Sequence, residues 1–474
     1  MDIFKCIRDT TMGIHSPIVV VDMFGRTSVR ERIYLDSAAT CLAIQPVGQA
    51  MIDYYTTSCA NSHTVATTSG RDTTEQLHHA HQDLGDLLGY DPEFDTVIFI
   101  GSGTTGAACF LSDAFKCREH KPIAIVSSLE HHSNMLPWSV NFSLLYVAAM
   151  PDGSLDMEDL TAKLHENSGK VCFVAVTAVS NATGVITPID QIAELAHAAG
   201  AALVVDAAQG ASHIPINKTA SKIDFLIGSG HKMYAPGAPG WLIAPKQFFD
   251  DMPASTGPIG GGSVDRVELS RVWLKKDPSE RYEAGTPNIP GSIGLGVVSR
   301  LLKAIGMNRV LEHERALVAK AIADIQNVPG AVVYGPLDAS EKTSVVSFNI
   351  DDLPHSFVAA VLNDFFSIQT RNGCFCAQPY VRQQMASACE NRGLCRPVMQ
   401  VGKTGMVRAS FGIYSNESDV DALVAALHVI AEHREHIMPL YEETSTGCWS
   451  HKTFRSSTGF DYRNLVTTFM GKCA

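Results

Sequence analysis

The sequence predicts an α/β protein: a large domain built on a mostly parallel sheet, then a smaller α+β domain beginning near residue 300. Two short apolar runs, Leu203–Val205 and Phe225–Ile227, read as strands buried on both faces. Each run stops abruptly in polar residues. Asp206 and Gln209 follow the first; Ser229, His231 and Lys232 follow the second. Residues 96–113 add a third sign, a strand (Thr-Val-Ile-Phe-Ile) that passes through Gly-Ser-Gly into a helix. In sheets of this kind ligands sit outside the carboxyl ends of the strands, where these polar residues project.

Composition narrows the function classes. The chain has 474 residues, enough for two domains and a large core. Hydrophobic residues make up 45% and charged residues 18%, the proportions of a globular enzyme. A net charge of −12 argues against a nucleic-acid partner. No apolar run reaches the length of a membrane span. The 12 cysteines fall at irregular spacings and read as reduced thiols. The first residues lack the apolar stretch of a secretory signal, so the expected location is the cytoplasm.

A lysine at a strand end can form a Schiff base with pyridoxal 5'-phosphate (PLP), and a nearby carboxylate can keep the pyridine nitrogen protonated. The plainer alternative is a surface lysine and an aspartate capping the next helix. The combination Val-Asp-Ala-Ala-Gln with Ser-Gly-His-Lys-Met-Tyr favours the cofactor. These stretches resemble the class V aminotransferases of PLP fold type I. Within that family they are most similar to the Suf-type (group II) cysteine desulfurases and selenocysteine lyases. The resemblance implies a mixed, mostly parallel seven-stranded sheet between helices. It also implies that Lys232 carries PLP, Asp206 pairs with the pyridine nitrogen and Gln209 bonds the ring oxygen.

Along the chain, residues 1–33 are mixed, with Ile18–Val21 as a short strand, and are expected to pack with the small domain. The large PLP-binding domain is expected over 34–300, opening on Tyr34-Leu-Asp-Ser-Ala-Ala. Asn61-Ser-His-Thr and Ser69-Gly-Arg read as a polar loop; in similar enzymes this region lies near an active site, which makes His63 a candidate for substrate binding. The Gly-Ser-Gly turn precedes Thr104 and Thr105, and a helix N-terminus with these hydroxyls suits a phosphate. Glu130-His-His-Ser-Asn resembles the family segment whose first histidine stacks on the PLP ring. That makes His131 a cofactor contact and a candidate for moving protons. The strand Val171–Val176 leads to Asn181, which the resemblance places beside the ring oxygen and the substrate. Ser229 and His231 are read as further phosphate contacts. In Arg281-Tyr-Glu-Ala-Gly-Thr-Pro-Asn, the resemblance sends Thr286 to the phosphate of the opposite subunit, and so implies a homodimer.

The small domain is expected over 301–440. Asn308 is read as the cap of a helix carrying Leu311, Val318, Ile322 and Ile325; Val346, Phe348 and Ile350 alternate as a strand. Asn416-Glu-Ser-Asp resembles a capping box before Val420, Leu423, Leu427 and Ile430. Between them lies Gln369-Thr-Arg-Asn-Gly-Cys-Phe-Cys-Ala. Group II desulfurases carry Arg-x-Gly-x-x-Cys-Ala there, which makes Cys376 the nucleophile. Cys374 is a rival for that role, because Cys-Phe-Cys is also similar to molybdenum-cofactor sulfurases. Two buried core thiols are the bland alternative. Cys374, Cys376, Cys389 and Cys395 match none of the common paired metal spacings, so no metal is expected. Arg408, before the last helix, is a candidate clamp for the substrate carboxylate, with a core ion pair as the alternative. Residues 441–474 extend past the family's usual end and are expected to pack against the domain.

The expected activity is removal of sulfur from L-cysteine, giving L-alanine and a persulfide on Cys376 that passes to an acceptor protein. Alternatives are a C–S or C–Se lyase acting on a cysteine conjugate or selenocysteine, a molybdenum-cofactor-sulfurase-like enzyme or another class V aminotransferase, and a cofactor-free scaffold.

Overall fold

The structure, a computed structural model, describes residues 2–118, 120–250, 252–253, 255–391 and 404–473. The chain enters through α1 (Ile3–Thr10), an antiparallel ribbon of β1 (Pro17–Val21) with β2 (Thr27–Glu31), and the short β3 (Ile33–Tyr34). Helices α2 (Gln45–Asp53) and α3 (Thr68–Leu87) lead into the central sheet. Its strands are β4 (Asp95–Ile100), β5 (Ile123–Ser127), β6 (Ser143–Val147), β7 (Val171–Thr177), β8 (Ala202–Asp206), β9 (Phe225–Ser229) and β10 (Gly240–Pro245). Helices α4 (Gly103–Arg118), α5 (Met157–Glu166) and α6 (Ile189–Ala198) connect them. The strand order is β4-β10-β9-β8-β7-β5-β6. β10 runs antiparallel to both neighbours, and the other pairings are parallel. The sheet is therefore mixed and mostly parallel, with seven strands, as expected.

Alternation explains why the strands read as unbroken apolar runs. Val97 and Phe99 of β4 enter a core with Leu84 of α3, while Ile98 between them faces a second core with Leu111 and Phe115 of α4. Leu203 and Val205 go one way and Val204 the other. Both faces exclude water, so no position tolerates a charge until the strand ends.

Past the sheet come a hairpin of β11 (Val264–Glu268) and β12 (Arg271–Leu274), then α7 (Pro278–Tyr282), α8 (Ile289–Ile305) and α9 (Met307–Ile325). A second, four-stranded sheet has the order β13-β14-β17-β16, with β13 (Ala331–Tyr334), β14 (Val345–Ile350), β16 (Arg371–Gly373) and β17 (Met406–Ser410). The two-residue β15 (Ile368–Gln369) pairs with β3. Helices α10 (His355–Phe366), α11 (Gln378–Asn391) and α12 (Glu417–Ile437) complete this part. Its core joins Val346, Phe348, Phe357, Leu362, Leu423 and Leu427 with Val21 of the N-terminal ribbon.

Three local expectations change. Ser69-Gly-Arg lies in the first turn of α3, capped by the Thr67 hydroxyl, which accepts from Gly70 N at 3.2 Å. α9 begins at Met307, so Asn308 is inside the helix. The break from α8 falls at Gly306, whose φ of 89° only glycine adopts readily. Only part of the C-terminal segment packs. The hairpin of β18 (Tyr441–Glu443) and β19 (Trp449–His451) sets Tyr441 and Trp449 edge-on against Phe357. Helix α13 (Tyr462–Cys473) instead leaves Leu465, Val466, Phe469 and Met470 exposed. The capping box is present: Asn416 Oδ1 accepts from Asp419 N at 3.2 Å, and Asn416 N donates to Asp419 Oδ2 at 3.0 Å.

Candidate active site

A cavity of about 500 Å³ opens outside the carboxyl ends of the parallel strands. Five of the seven strands deliver polar residues to it. Thr104 and Thr105 follow β4, His131 follows β5, and Asn181 follows β7. Asp206 ends β8, Gln209 lies just beyond it, Ser229 ends β9, and His231 and Lys232 occupy the tight turn after β9. All nine line the cavity, together with Arg408 from β17.

Asp206 is buried. Its Oδ1 accepts from Ala208 N at 2.8 Å and from Thr104 Oγ1 at 3.4 Å. Burial raises its pKa, against those donors and the Lys232 charge. Burial likewise lowers the Lys232 amine to about 8, with Asp206 opposing and Arg408 assisting. Among the described residues nothing hydrogen-bonds Lys232 Nζ, so an unpartnered amine with a lowered pKa faces the cavity. Its carbonyl is held from behind by Ser212 Oγ at 2.9 Å and Cys41 Sγ at 3.0 Å.

The α4 end of the cavity suits an anion. Ser102 and Gly103 both have positive φ, at 62° and 60°, and turn the chain so that the helix N-terminus faces inward. A Cβ on Gly103 would lie 2.5 Å from Ser229 Oγ, which accepts from Thr104 N at 2.9 Å. The turn therefore requires glycine. His231 Nδ1 lies 3.2 Å from Thr40 Oγ1, and burial with the Lys232 charge lowers this imidazole to about 4.

Gln209 Nε2 donates to Ala38 O at 2.7 Å, and its Oε1 is buried without a partner. Asn181 has a further role. Its Nδ2 donates to Phe375 O at 2.8 Å and its carbonyl accepts from Arg408 Nη1 at 2.8 Å. The side chain thus fastens the reactive loop as well as lining the cavity.

That loop is a tight turn, closed by Ala377 N donating to Cys374 O at 2.8 Å. Phe375 and Cys376 both have positive φ, 52° and 56°. His132 N donates to Cys376 O at 2.7 Å, which ties the turn to the His131 segment. Phe375 points into the cavity under the Arg408 guanidinium, 4.8 Å away. The Cys376 side chain is exposed and does not line the cavity. Cys374 is half-buried, near Thr404 O at 3.4 Å, and burial pushes its thiol pKa up. Cys395 lies outside the described residues. Among those described, no three His, Cys, Asp or Glu gather as metal ligands would.

Arg408 forms an ion pair and also reaches the cavity: its Nη2 donates to Asp36 Oδ1 at 3.0 Å. Burial lowers it to about 10, with Asp36 opposing. Among the described residues its Nε has no partner. His63 and Thr286 do not line this cavity. Both are exposed, and Asn61 Nδ2 donates to Thr286 Oγ1 at 3.1 Å.

Sequence reasoning passed over several contributors. Arg371 lines the cavity, although it is the arginine that opens the Arg-x-Gly-x-x-Cys-Ala pattern. Asp36, inside Tyr-Leu-Asp-Ser-Ala-Ala, pairs Arg408. Glu130 is fully buried behind His131, where Ser127 Oγ, Asn134 Nδ2 and Thr177 N converge on it. Burial pushes its pKa up to about 8 against those three donors. Phe375, Thr177 and Ser133 also face the cavity.

The aminotransferase class-V family model matches residues 33–423. The chain belongs to the class-V aminotransferase family. It is 32% identical over 413 residues to a probable cysteine desulfurase of Halalkalibacterium halodurans, covering 85% of this chain and 94% of that relative. The apo structure of a cysteine desulfurase from Thermococcus onnurineus superposes with a TM-score of 0.75 at 31% identity, over 85% of this chain and 95% of the other. The Escherichia coli cysteine desulfurase CsdA, in its S-sulfonic acid form, gives 0.72 at 28% identity, over 85% and 95%. The family is PLP-dependent, in line with the expected cofactor. The donor set fits that group: a buried carboxylate, an unpartnered amine, an orphaned Gln209 Oε1 and a helix end too tight for any Cβ at Gly103. Among the described residues no single helix is long and apolar enough to cross a membrane.

Proposed function

We propose that this protein is a PLP-dependent cysteine desulfurase that takes sulfur from L-cysteine, releases L-alanine and holds the sulfur as a persulfide on Cys376. The observation that carries the reading is the reactive turn, which presents an exposed thiol while hydrogen-bonded to the Asn181 and His131 segments of the cavity wall. Bound PLP supplies an electron sink for charge developing next to the substrate's Cα.

The chain's residues do the rest. Lys232 would hold the cofactor through its amine, and the same amine, when free, would move the proton at the substrate's Cα. A pKa near 8 leaves about a tenth of the amine neutral at pH 7, far more than an ordinary lysine has. Asp206 would keep the pyridine nitrogen protonated, and Gln209 and Asn181 would bond the ring oxygen. Gln209 Nε2 has a second hydrogen beyond the one given to Ala38. Thr104, Thr105, Ser229 and His231 surround the phosphate position at the α4 end. Arg408 and Arg371 bind the substrate carboxylate. The Cys376 thiolate attacks the substrate Sγ: an S–S bond forms, the Cβ–Sγ bond breaks, and Cβ keeps the electron pair and takes a proton to become the methyl group of alanine.

The purified protein should be yellow and should release alanine and sulfide from L-cysteine in the presence of a thiol reductant. Failure with L-cysteine, combined with turnover of selenocysteine or a cysteine conjugate, would replace the reading. One observation favours that rival: Cys376 does not line the cavity, and a C–S or C–Se lyase has no need of it.

We further propose a cytoplasmic homodimer that hands sulfur to an acceptor protein. Exposed Thr286 and His63, outside their own cavity, suit a role in the partner's. In the same reading residues 34–300 form the PLP-binding domain and 301–440 the small domain, with 1–33 packed on the latter and 441–474 an extension.

A further inference from the structure

The His131 ring has an unusual neighbour. Its own side chain caps the helical turn His132–Asn134: Ser133 N donates to His131 Nδ1 at 3.1 Å. Ser133 Oγ lies 2.9 Å from the same nitrogen and 2.7 Å from Thr105 Oγ1. We propose that Ser133 is a positioning residue, which fixes the His131 imidazole as a neutral ring protonated on Nε2, so that His131 serves the cavity as a hydrogen-bond donor and not as a proton acceptor. The inference rests on the PLP-enzyme reading of this site.

A backbone N–H can only donate, so the nitrogen it meets must carry a lone pair. Nδ1 is therefore unprotonated, and the one proton of a neutral imidazole sits on Nε2. The Ser133 hydroxyl fits either way. With no anion at Thr105, the chain runs Thr105 to Ser133 to Nδ1. With a phosphate accepting from Thr105, the Ser133 hydroxyl still donates to Nδ1 beside the backbone N–H. The tautomer is the same in both cases. Charging the ring would place a proton on Nδ1 against the N–H and close to the positive end of the helical turn. The groups that face His131 reinforce this: Lys232, His132, Arg371 and Arg408 all disfavour a second positive charge, after burial, which is the largest cause, and the imidazole falls to about 3. Removal of the Cα proton then belongs to Lys232 alone.

The test is nitrogen-15 NMR on the PLP-loaded enzyme with labelled histidine, the His131 signals being assigned by their loss in His131→Gln. The expected spectrum has Nε2 protonated, Nδ1 not, and no titration through neutral pH. Ser133→Ala leaves one donor of two. The backbone donor keeps Nδ1 unprotonated, but the loss of the hydroxyl should move the Nδ1 signal toward that of a free, unprotonated ring nitrogen. Turnover should fall about fivefold, the equivalent of one neutral hydrogen bond. A wild-type ring that is Nδ1-protonated, or that titrates near neutral pH, overturns the proposal; so do signals and turnover left untouched by Ser133→Ala. The spectrum does not depend on the substrate. The expected tautomer in an enzyme inert to L-cysteine would remove the desulfurase reading and leave this one standing.

Discussion

Arg408 offers the sharpest division between a binding role and a structural one, because the structure gives it both. Its guanidinium has five N–H donors. One goes to Asp36 and one to the Asn181 carbonyl; among the described residues the buried Nε has no partner, and Nη1 and Nη2 each keep a second N–H. The free donors suit a carboxylate. A hydrogen bond to a charged group contributes about 1.5–3 kcal/mol. Arg408→Ala should therefore raise the KM for L-cysteine about 10- to 150-fold. The same change strands Asp36, whose side chain is 24% exposed, beside an apolar gap. Breaking a fully buried pair costs about 3–5 kcal/mol, and partial exposure should reduce that to about 1–3 kcal/mol. Arg408→Ala combined with Asp36→Ala separates the two effects. Removing the stranded carboxylate should recover part of the thermal stability and none of the KM. Initial-rate kinetics and thermal unfolding of the single and double variants decide it. If Arg408→Ala loses stability at unchanged KM, or the double variant recovers KM, Arg408 is only the partner of Asp36.

Lys232→Ala should abolish turnover and the absorbance of lysine-bound PLP; retention of both would remove the cofactor assignment. Cys376→Ala should keep that absorbance and its response to L-cysteine while alanine and sulfide production collapse, whereas Cys374→Ala, lacking only a half-buried thiol, should keep substantial activity. Full activity of Cys376→Ala with its best sulfur substrate would favour the lyase. Lys342→Met should stabilise the protein: the amine is fully buried and, among the described residues, has no hydrogen-bond partner, and burial lowers it from 10.5 to about 7. At about 1.4 kcal/mol per pKa unit, removing it gains up to about 4 kcal/mol at neutral pH. The unfolded chain binds this proton more readily than the folded one, so wild-type stability rises as pH climbs from about 7 toward 10.5. The denaturation midpoints of the two proteins should therefore converge over that range, and a gap that stays constant or widens with pH would refute the reasoning.

The parts of this molecule that could be read in its sequence are those whose signal is local. Leu203–Asp206 and Phe225–Lys232 stand out because a strand buried on both faces admits no polar residue until it ends, so the first charge marks the edge of the sheet. The Gly-Ser-Gly turn is legible for a similar reason, since Ser102 and Gly103 must take positive φ to aim α4 inward. What could not be read depends on contacts between distant stretches. Asp36 matters because the fold brings it to Arg408, 372 residues away. Ser133 matters because a turn of helix leans its N–H against the preceding histidine. Gly306 was hidden because the letters offer Asn308 as an equally good cap.

The reactive turn is the clearest case. Nothing in Cys374-Phe-Cys announces two consecutive left-handed residues, for neither Phe375 nor Cys376 is glycine or asparagine, and each such residue costs about 1–2 kcal/mol. A strained turn persists only where surrounding contacts impose it. Here they are Asn181 Nδ2 on the Phe375 carbonyl, His132 N on the Cys376 carbonyl, and the Arg408 guanidinium over the Phe375 ring. Each comes from a residue that lines the cavity or adjoins one that does. The position of the exposed thiol is thereby set by the wall of the site it is proposed to serve. The left-handed Phe375 and Cys376 are explained by that coupling, and no propensity of the loop's own sequence would produce them.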